Sequence, residues 1–111
     1  MAELKAVSEV LGKAGVTKAS VSFGWDCNLD LEKMWKDQTL AVKDLCSFIA
    51  SSEDTGVVVV GGGDIFIKSP DFCFTLCHES DAHVEGGSDL VQQIISRWKN
   101  LGYAPYEVQR A

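Results

Sequence analysis

The residues best equipped for chemistry lie in one stretch, Phe72 to Asp89, which reads FCFTLCHESDAHVEGGSD. It contains both histidines of the chain, two of its four cysteines and four carboxylates. Two histidines with carboxylates are ligands that suit zinc or iron. A histidine beside a carboxylate can serve as a general base, and a cysteine activated by a histidine can serve as a nucleophile. The stretch therefore predicts either a metal or catalytic site, or only a polar rim between a strand and a helix.

Strand alternation divides this stretch into two faces. We predict a strand over Phe72 to His78, and successive side chains of a strand point to opposite sides. Phe72, Phe74, Leu76 and His78 then share one face, and Cys73, Thr75, Cys77 and Glu79 share the other. Cys77 and His78 point apart and form no dyad by themselves. Metal or catalytic chemistry requires the loop to fold back, and its candidate binding residues are His78, Glu79, Asp81, His83 and Glu85.

The alternative interpretation makes the same residues structural. Gly86 and Gly87 permit a sharp entry into a helix that Ser88 caps. His78 is then a hydrogen-bonded histidine at the edge of the core, and His83 is solvated. The chain has no H-E-x-x-H helix, no oxyanion motif and no third catalytic partner for the cysteine and histidine. We therefore expect no metal, no cofactor and no catalytic residue.

Two other motifs lack features that a ligand site requires. The segment DCNLDLEKMWKD spaces Asp26, Asn28 and Asp30 like calcium ligands, but Leu31 stands where the sharp turn needs glycine. The segment VVVVGGGD follows an apolar run but lacks the Gly-Lys-Ser/Thr that a phosphate-binding loop requires. We expect neither calcium nor a nucleotide at these segments, and a hairpin turn at the glycines.

Three aromatic residues complete the candidate binding residues. Tyr103 and Tyr106 lie near the C-terminus, outside any strongly periodic element. Exposed tyrosines are typical of protein interfaces. Trp25, at the end of the first predicted strand, is placed to line a pocket between sheet and helices.

Hydrophobic periodicity predicts the elements that must position these residues. A helix is expected over Ala2 to Ala14, and a strand in the segment KASVSFGW. A three-stranded meander is expected over residues 57–78, and a helix over Asp89 to Asn100. The three strands of the meander are Val57 to Val60, Asp64 to Lys68 and Phe72 to His78.

The region Asp26 to Leu40 allows two interpretations. The first is a long helix, because Leu31 and Trp35 continue the apolar stripe of the residues that follow. The second is a strand over Leu29 to Trp35, with a helix that starts at Thr39. We prefer the long helix, since Glu, Lys and Met are better helix formers than strand formers.

These elements define an α+β fold with an antiparallel sheet of four or five strands and three helices. The predicted order is α-β-(β)-α-β-β-β-α, with the bracketed strand depending on the region just described. If that strand is present, the order resembles that of roadblock/longin-type dimerisation modules. The resemblance concerns the order of elements alone, and a fold does not determine a function.

Length and charge narrow the class of function. A chain of 111 residues is one domain, and its formal net charge of -6 with scattered basic residues argues against nucleic acid as a partner. It has no export signal and no apolar run long enough to span a membrane, so we expect a cytoplasmic protein with free thiols.

These observations favour a small acidic protein-binding or regulatory module without catalytic activity. An immunity- or antitoxin-like inhibitor of a basic toxin suits the size and charge, and a homodimer is expected. The alternative is a metal-dependent or small-molecule-acting enzyme, or a ligand-binding protein, that uses the loop from His78 to Glu85.

Overall fold

The computed structural model describes residues 2–24, 27, 36–60, 62–77 and 82–103. Within these ranges the elements follow in an order that confirms the predicted α+β fold. They are α1 (Ala2–Lys13), β1 (Lys18–Phe23), β2 (Gln38–Ala41), a 3-10 turn (Val42–Asp44), α2 (Leu45–Asp54), β3 (Ile65–Ser69), β4 (Phe72–Leu76), β5 (Ala82–Glu85) and α3 (Asp89–Asn100).

The five strands form one sheet in the order β2-β1-β3-β4-β5, and every neighbouring pair is antiparallel. One row of paired residues crosses the whole sheet, from Gln38 through Val21, Ile67 and Phe74 to Val84. The three central members of this row are at most 1% exposed. The row therefore marks the sheet face that carries the core.

The helices described here pack together on that face. α1 contacts both α2 and α3. The buried apolar residues of all three helices belong to the same cluster as the buried apolar residues of the strands. Burial of an aliphatic side chain in such a core contributes about 1.5–3 kcal/mol. The cluster thus stabilises a two-layer arrangement of helices on one sheet face.

The three helices that the structure describes end in the same motif, with a glycine in the left-handed region. Gly15, Gly56 and Gly102 have φ values of 82°, 81° and 91°. In each case the glycine N–H donates to the carbonyl three residues earlier, and the next residue's N–H donates to the carbonyl five residues earlier. These two bonds define a Schellman motif. Glycine is favoured here because a side chain at positive φ is strained.

The start of α3 confirms the predicted cap. Ser88 has extended backbone angles, and its hydroxyl accepts a hydrogen bond of 3.2 Å from the backbone N–H of Leu90. Asp89 lies in the first turn, where a negative charge interacts favourably with the helix dipole. The predicted boundaries Asp89 to Asn100 are those that the structure shows.

The preferred long helix over Asp26 to Leu40 is wrong where the structure describes it. Gln38–Ala41 is the edge strand β2, paired with β1, and α2 begins only at Leu45. The alternative start of a helix at Thr39 is wrong for the same reason. Its other half, a strand over Leu29 to Trp35, lies outside the described residues. A second strand before α2 does exist, and pairing with β1 overrides the helix propensity of its own residues.

The meander also differs from its predicted position. Its three strands lie at Ile65–Ser69, Phe72–Leu76 and Ala82–Glu85, whereas Val57 to Val60 contributes only an isolated bridge between Val60 and Gly63. A short apolar run does not by itself distinguish a strand from another buried segment. Here Val58 is buried at 2% exposure, and Val59 is 68% exposed.

No helix among the described residues is long and apolar enough to cross a lipid bilayer. The longest, α1 and α3, have 12 residues each, whereas a span takes about 20.

Candidate functional site

The loop that sequence reasoning favoured is partly a strand. His83 and Glu85 lie in β5, the edge strand, where exposed and half-buried residues alternate and both of these are exposed. His78, Glu79 and Asp81 lie outside the described residues, so their convergence with His83 stays a prediction. Among the residues that are described, no three His, Cys, Asp or Glu side chains are grouped so as to hold a metal ion.

The register of β4 and β5 brings four polar side chains onto one face of the sheet. Cys73 lies opposite Glu85, and Thr75 lies opposite His83. The Cβ atoms of directly opposite residues are about 4.5–5.5 Å apart, and those of diagonal neighbours about 7–8 Å. This face is the one turned away from the described helices, and we call it the open face.

The Cys73 thiol is not activated in this arrangement. Burial raises its pKa, and the nearby charges of Glu85 and Asp37 raise it further, against the lowering effects of Thr75 and Lys68. The Thr75 hydroxyl lies 4.0 Å from the Cys73 sulfur. Since the thiolate is the nucleophilic form, a raised pKa makes Cys73 slower to react at neutral pH. Cys73 therefore offers no activated thiol on the open face, and the catalytic interpretation, which rests on Cys77, stays a prediction.

The neighbouring part of the open face carries an exposed ion pair. Lys68 lies opposite Cys73 in register, and its Nζ atom is 3.3 Å from Asp37 Oδ1. The same Nζ lies 5.9 Å from the centre of the Phe66 ring. Both charged side chains are almost half exposed, so the pair contributes only about 0–1 kcal/mol. The ion pair is part of the surface and gives no sign of a catalytic role.

Tyr103 is the predicted binding residue whose environment is most informative. It is 64% exposed, and Leu101, two residues before it, is 56% exposed. Its backbone N–H donates a 3.0 Å bond to the carbonyl of Trp98 as part of the Schellman motif at Gly102. The other two aromatic candidates, Trp25 and Tyr106, lie outside the described residues.

The two other helix ends provide an internal comparison. The residues equivalent to Tyr103 are Val16 after α1 and Val57 after α2, and both are half-buried against the core. An apolar residue at this position of a Schellman motif commonly packs back on the helix that it follows. Tyr103 has the same backbone arrangement but leaves most of its surface exposed. The segment after α3 thus exposes an aromatic side chain at the position where the segments after α1 and α2 pack a valine against the core.

The helix end that carries Tyr103 is anchored to α1. Glu3 accepts hydrogen bonds through both carboxylate oxygens, from the Arg97 guanidinium on one and from the Trp98 indole N–H on the other. Arg97 and Glu3 are about three-quarters buried, which reduces solvent screening of their ion pair. Leu101 and Tyr103, which we call the Tyr103 site, therefore stand on a backbone that is fixed by contacts with another helix.

Comparisons of the chain with protein-family models, with curated proteins and with solved structures found no match. The likeness in element order to roadblock/longin-type modules therefore has no support from a measured similarity.

Sequence reasoning identified Tyr103 but overlooked its neighbour Leu101 as a surface residue. Leu101 directly follows the last residue of α3 and is 56% exposed. The pairing of Cys73 with Glu85 was also missed, because it requires β5, which was taken for a loop. The alternation of Ala82 to Glu85 was the available signal.

Proposed function

We propose that this chain is a small, acidic, cytoplasmic protein-binding module without catalytic activity. Its partner is a basic protein, in the manner of an immunity protein or antitoxin with its toxin, and it docks at the Tyr103 site. The observation that carries the proposal is a tyrosine that is 64% exposed on a backbone held by a Schellman motif.

The geometry of the site supports a role in binding. Tyrosine supplies a large contact area at a low entropic cost, because only two side-chain torsions need to be fixed. Tyrosine is also among the residues that dominate the energetics of interfaces. Because the backbone of Tyr103 is already ordered, binding loses less conformational freedom than it would with a mobile segment.

Net charge supports the choice of a basic partner. The chain carries a formal charge of -6, and such a charge accelerates encounters with a molecule of opposite sign. The rate of association should then fall with increasing ionic strength, whereas the apolar contact at Tyr103 should chiefly determine the rate of dissociation.

A comparison of three immobilised proteins tests the proposal: the wild type, Tyr103→Ala and the control Val59→Ser. Val59 is an exposed apolar residue of the link between α2 and β3, so the control removes exposed apolar surface from another place. We expect a basic protein to be captured from the native extract by the wild type and Val59→Ser, released by salt, and bound at least tenfold more weakly by Tyr103→Ala.

Two results would overturn the proposal. One is capture of the same proteins, in the same amounts, by all three baits. The other is a wild type whose dimeric mass in light scattering becomes monomeric with Tyr103→Ala, because a second copy of the chain would then occupy the site.

A further inference from the structure

We propose that a pocket between the sheet and α2 binds a small aromatic carboxylate. The pocket has a volume of about 310 Å³. Its apolar lining comes from Val21 and Phe23 of β1, Phe48 of α2 and Val57. It lies away from α3, so ligand binding there and partner binding at the Tyr103 site can be tested separately.

The apolar part of the pocket favours an aromatic ring. Phe23 and Phe48 stack with ring centres 6.1 Å apart and planes inclined by 16°. Phe23 is 7% exposed and Val21 is 1% exposed, so they form the floor, whereas Phe48 and Val57 are half-buried. A ring inserted here lies beside two aromatic side chains, and contacts between aromatic rings are favourable beyond the area that they bury. The pocket is partly open to solvent, and its volume leaves room for two fused rings with one edge exposed, since a closed cavity of about 150 Å³ accommodates benzene.

The rim of the pocket favours an anion. Lys36 and Gln38 line it and are exposed. Lys36 is the one charged side chain among the described lining residues, and no ion pair joins it to any residue that the structure describes. Ser52 also lines the pocket, and its hydroxyl donates to the Phe48 carbonyl, which leaves the hydroxyl oxygen able to accept but not to donate. A carboxylate near Lys36 therefore finds a cation and the Gln38 amide.

The charges in the pocket differ from those in the groove beside Lys18 and Lys68. In that groove the Lys68 charge is already paired with Asp37. An anion there would have to compete with a carboxylate of the protein. The pocket under Lys36 contains no acidic residue among its described lining, so the attraction of Lys36 for a ligand anion is not offset in this way.

The test is a titration with 2-naphthoate, with 2-naphthamide as the uncharged counterpart, followed by calorimetry and by amide chemical shifts. We expect 2-naphthoate to bind with a Kd of about 1 mM or below, with the largest shifts at Phe48 and Val57. 2-Naphthamide should bind about fivefold more weakly than 2-naphthoate, because it lacks the negative charge that Lys36 attracts.

Two variants and a control identify the contacts. Lys36→Gln should reduce naphthoate affinity about fivefold and leave naphthamide affinity unchanged. Phe48→Leu, which keeps an apolar side chain of similar size, should weaken both ligands by removing the stack. The control Lys18→Gln removes a different exposed lysine and should leave both affinities unchanged.

No binding of naphthoate at about 5 mM, several times the Kd expected for a ligand of this size, overturns the proposal. Shifts confined to residues away from Phe48 and Val57 overturn it as well. So does equal binding of naphthoate to the wild type and Lys36→Gln. None of these results bears on the Tyr103 site.

Discussion

Neighbouring charge and burial act together on a single residue, Cys73. Burial raises the pKa of its thiol, and the carboxylate of Glu85, opposite it in the strand pair, raises the pKa further. A group whose pKa is raised by folding contributes stability while it is protonated, and the contribution is lost as the pH rises through the folded pKa. Cys73 should therefore be slow to react at neutral pH, and its neutral form should stabilise the fold there.

The Cys73 prediction is tested with Glu85→Gln, which removes the negative charge and should lower the pKa of the thiol. At pH 7 we expect alkylation of Cys73 by iodoacetamide to become about twofold faster, because the thiolate fraction increases. Mass spectrometry of the Cys73 peptide measures the rate. The control Glu9→Gln makes the same change in net charge on the exposed side of α1. Equal acceleration in both variants would show that Glu85 has no specific effect.

At the scale of elements, the link from β5 to α3 depends on one glycine. A Cβ atom at Gly86 would lie 1.9 Å from the carbonyl oxygen of Asp71, and Gly86 has a φ of 130°. The same carbonyl accepts a 3.1 Å bond from the N–H of Ser88. The turn between β3 and β4 and the start of α3 are thus in direct backbone contact. A side chain at Gly86 would separate them.

Gly86→Ala should lower the free energy of unfolding by about 3 kcal/mol, from strain and a backbone clash. Gly87→Ala is the matched control, because a Cβ there meets nothing within 4 Å. The control should change the free energy of unfolding by no more than about 0.5 kcal/mol. Urea unfolding followed by circular dichroism gives both values. Similar midpoints for the two variants would contradict the contact.

The sequence predicts correctly those elements whose own residues show a hydrophobic periodicity or a cap. α1, β1 and α3 have clear periodicity, and Ser88 and Gly102 mark the ends of α3 by their chemistry. The edge strand β2 has no such pattern, since its burial runs from two exposed to two half-buried residues. Its conformation is determined by pairing with β1, and the propensities of its own residues do not show that pairing.

The same distinction applies to the candidate sites. Tyr103 could be identified because it follows the last periodic residue of α3 and lies beside a glycine. The pocket under Lys36 could not, because it requires β2 to lie beside β1 and α2 to begin at Leu45. The sequence predicts a loop at His83 and Glu85 for two reasons. A strand of four residues shows too short an alternation to be recognised, and the histidines and carboxylates of this segment suggest a ligand-binding loop.

At the scale of the whole molecule, strands that pair are mostly neighbours in sequence. β2 pairs with β1, and β3, β4 and β5 pair in succession. Among the described strands, only the pair of β1 and β3 joins distant parts of the chain, with Val21 opposite Ile67. The chain up to Asp54 therefore contains α1, β1, β2 and α2, and the chain from Ile65 contains the remaining strands and α3.

This connectivity makes the protein a candidate for fragment complementation. Fragments 1–59 and 60–111 each keep their own strand pairs, and each exposes one edge that only the other can cover, β1 or β3. The contacts of Glu3 with Arg97 and Trp98 add a second point of recognition between them.

We expect the mixed fragments to recover a cooperative unfolding transition that neither shows alone. A cut within β4, after Phe74, divides a paired strand and should not allow recovery, so equal recovery from both cuts would contradict the division. If the two fragments do reassemble, the protein could serve as a split reporter whose signal depends on the pairing of β1 with β3 and on the contacts of Glu3.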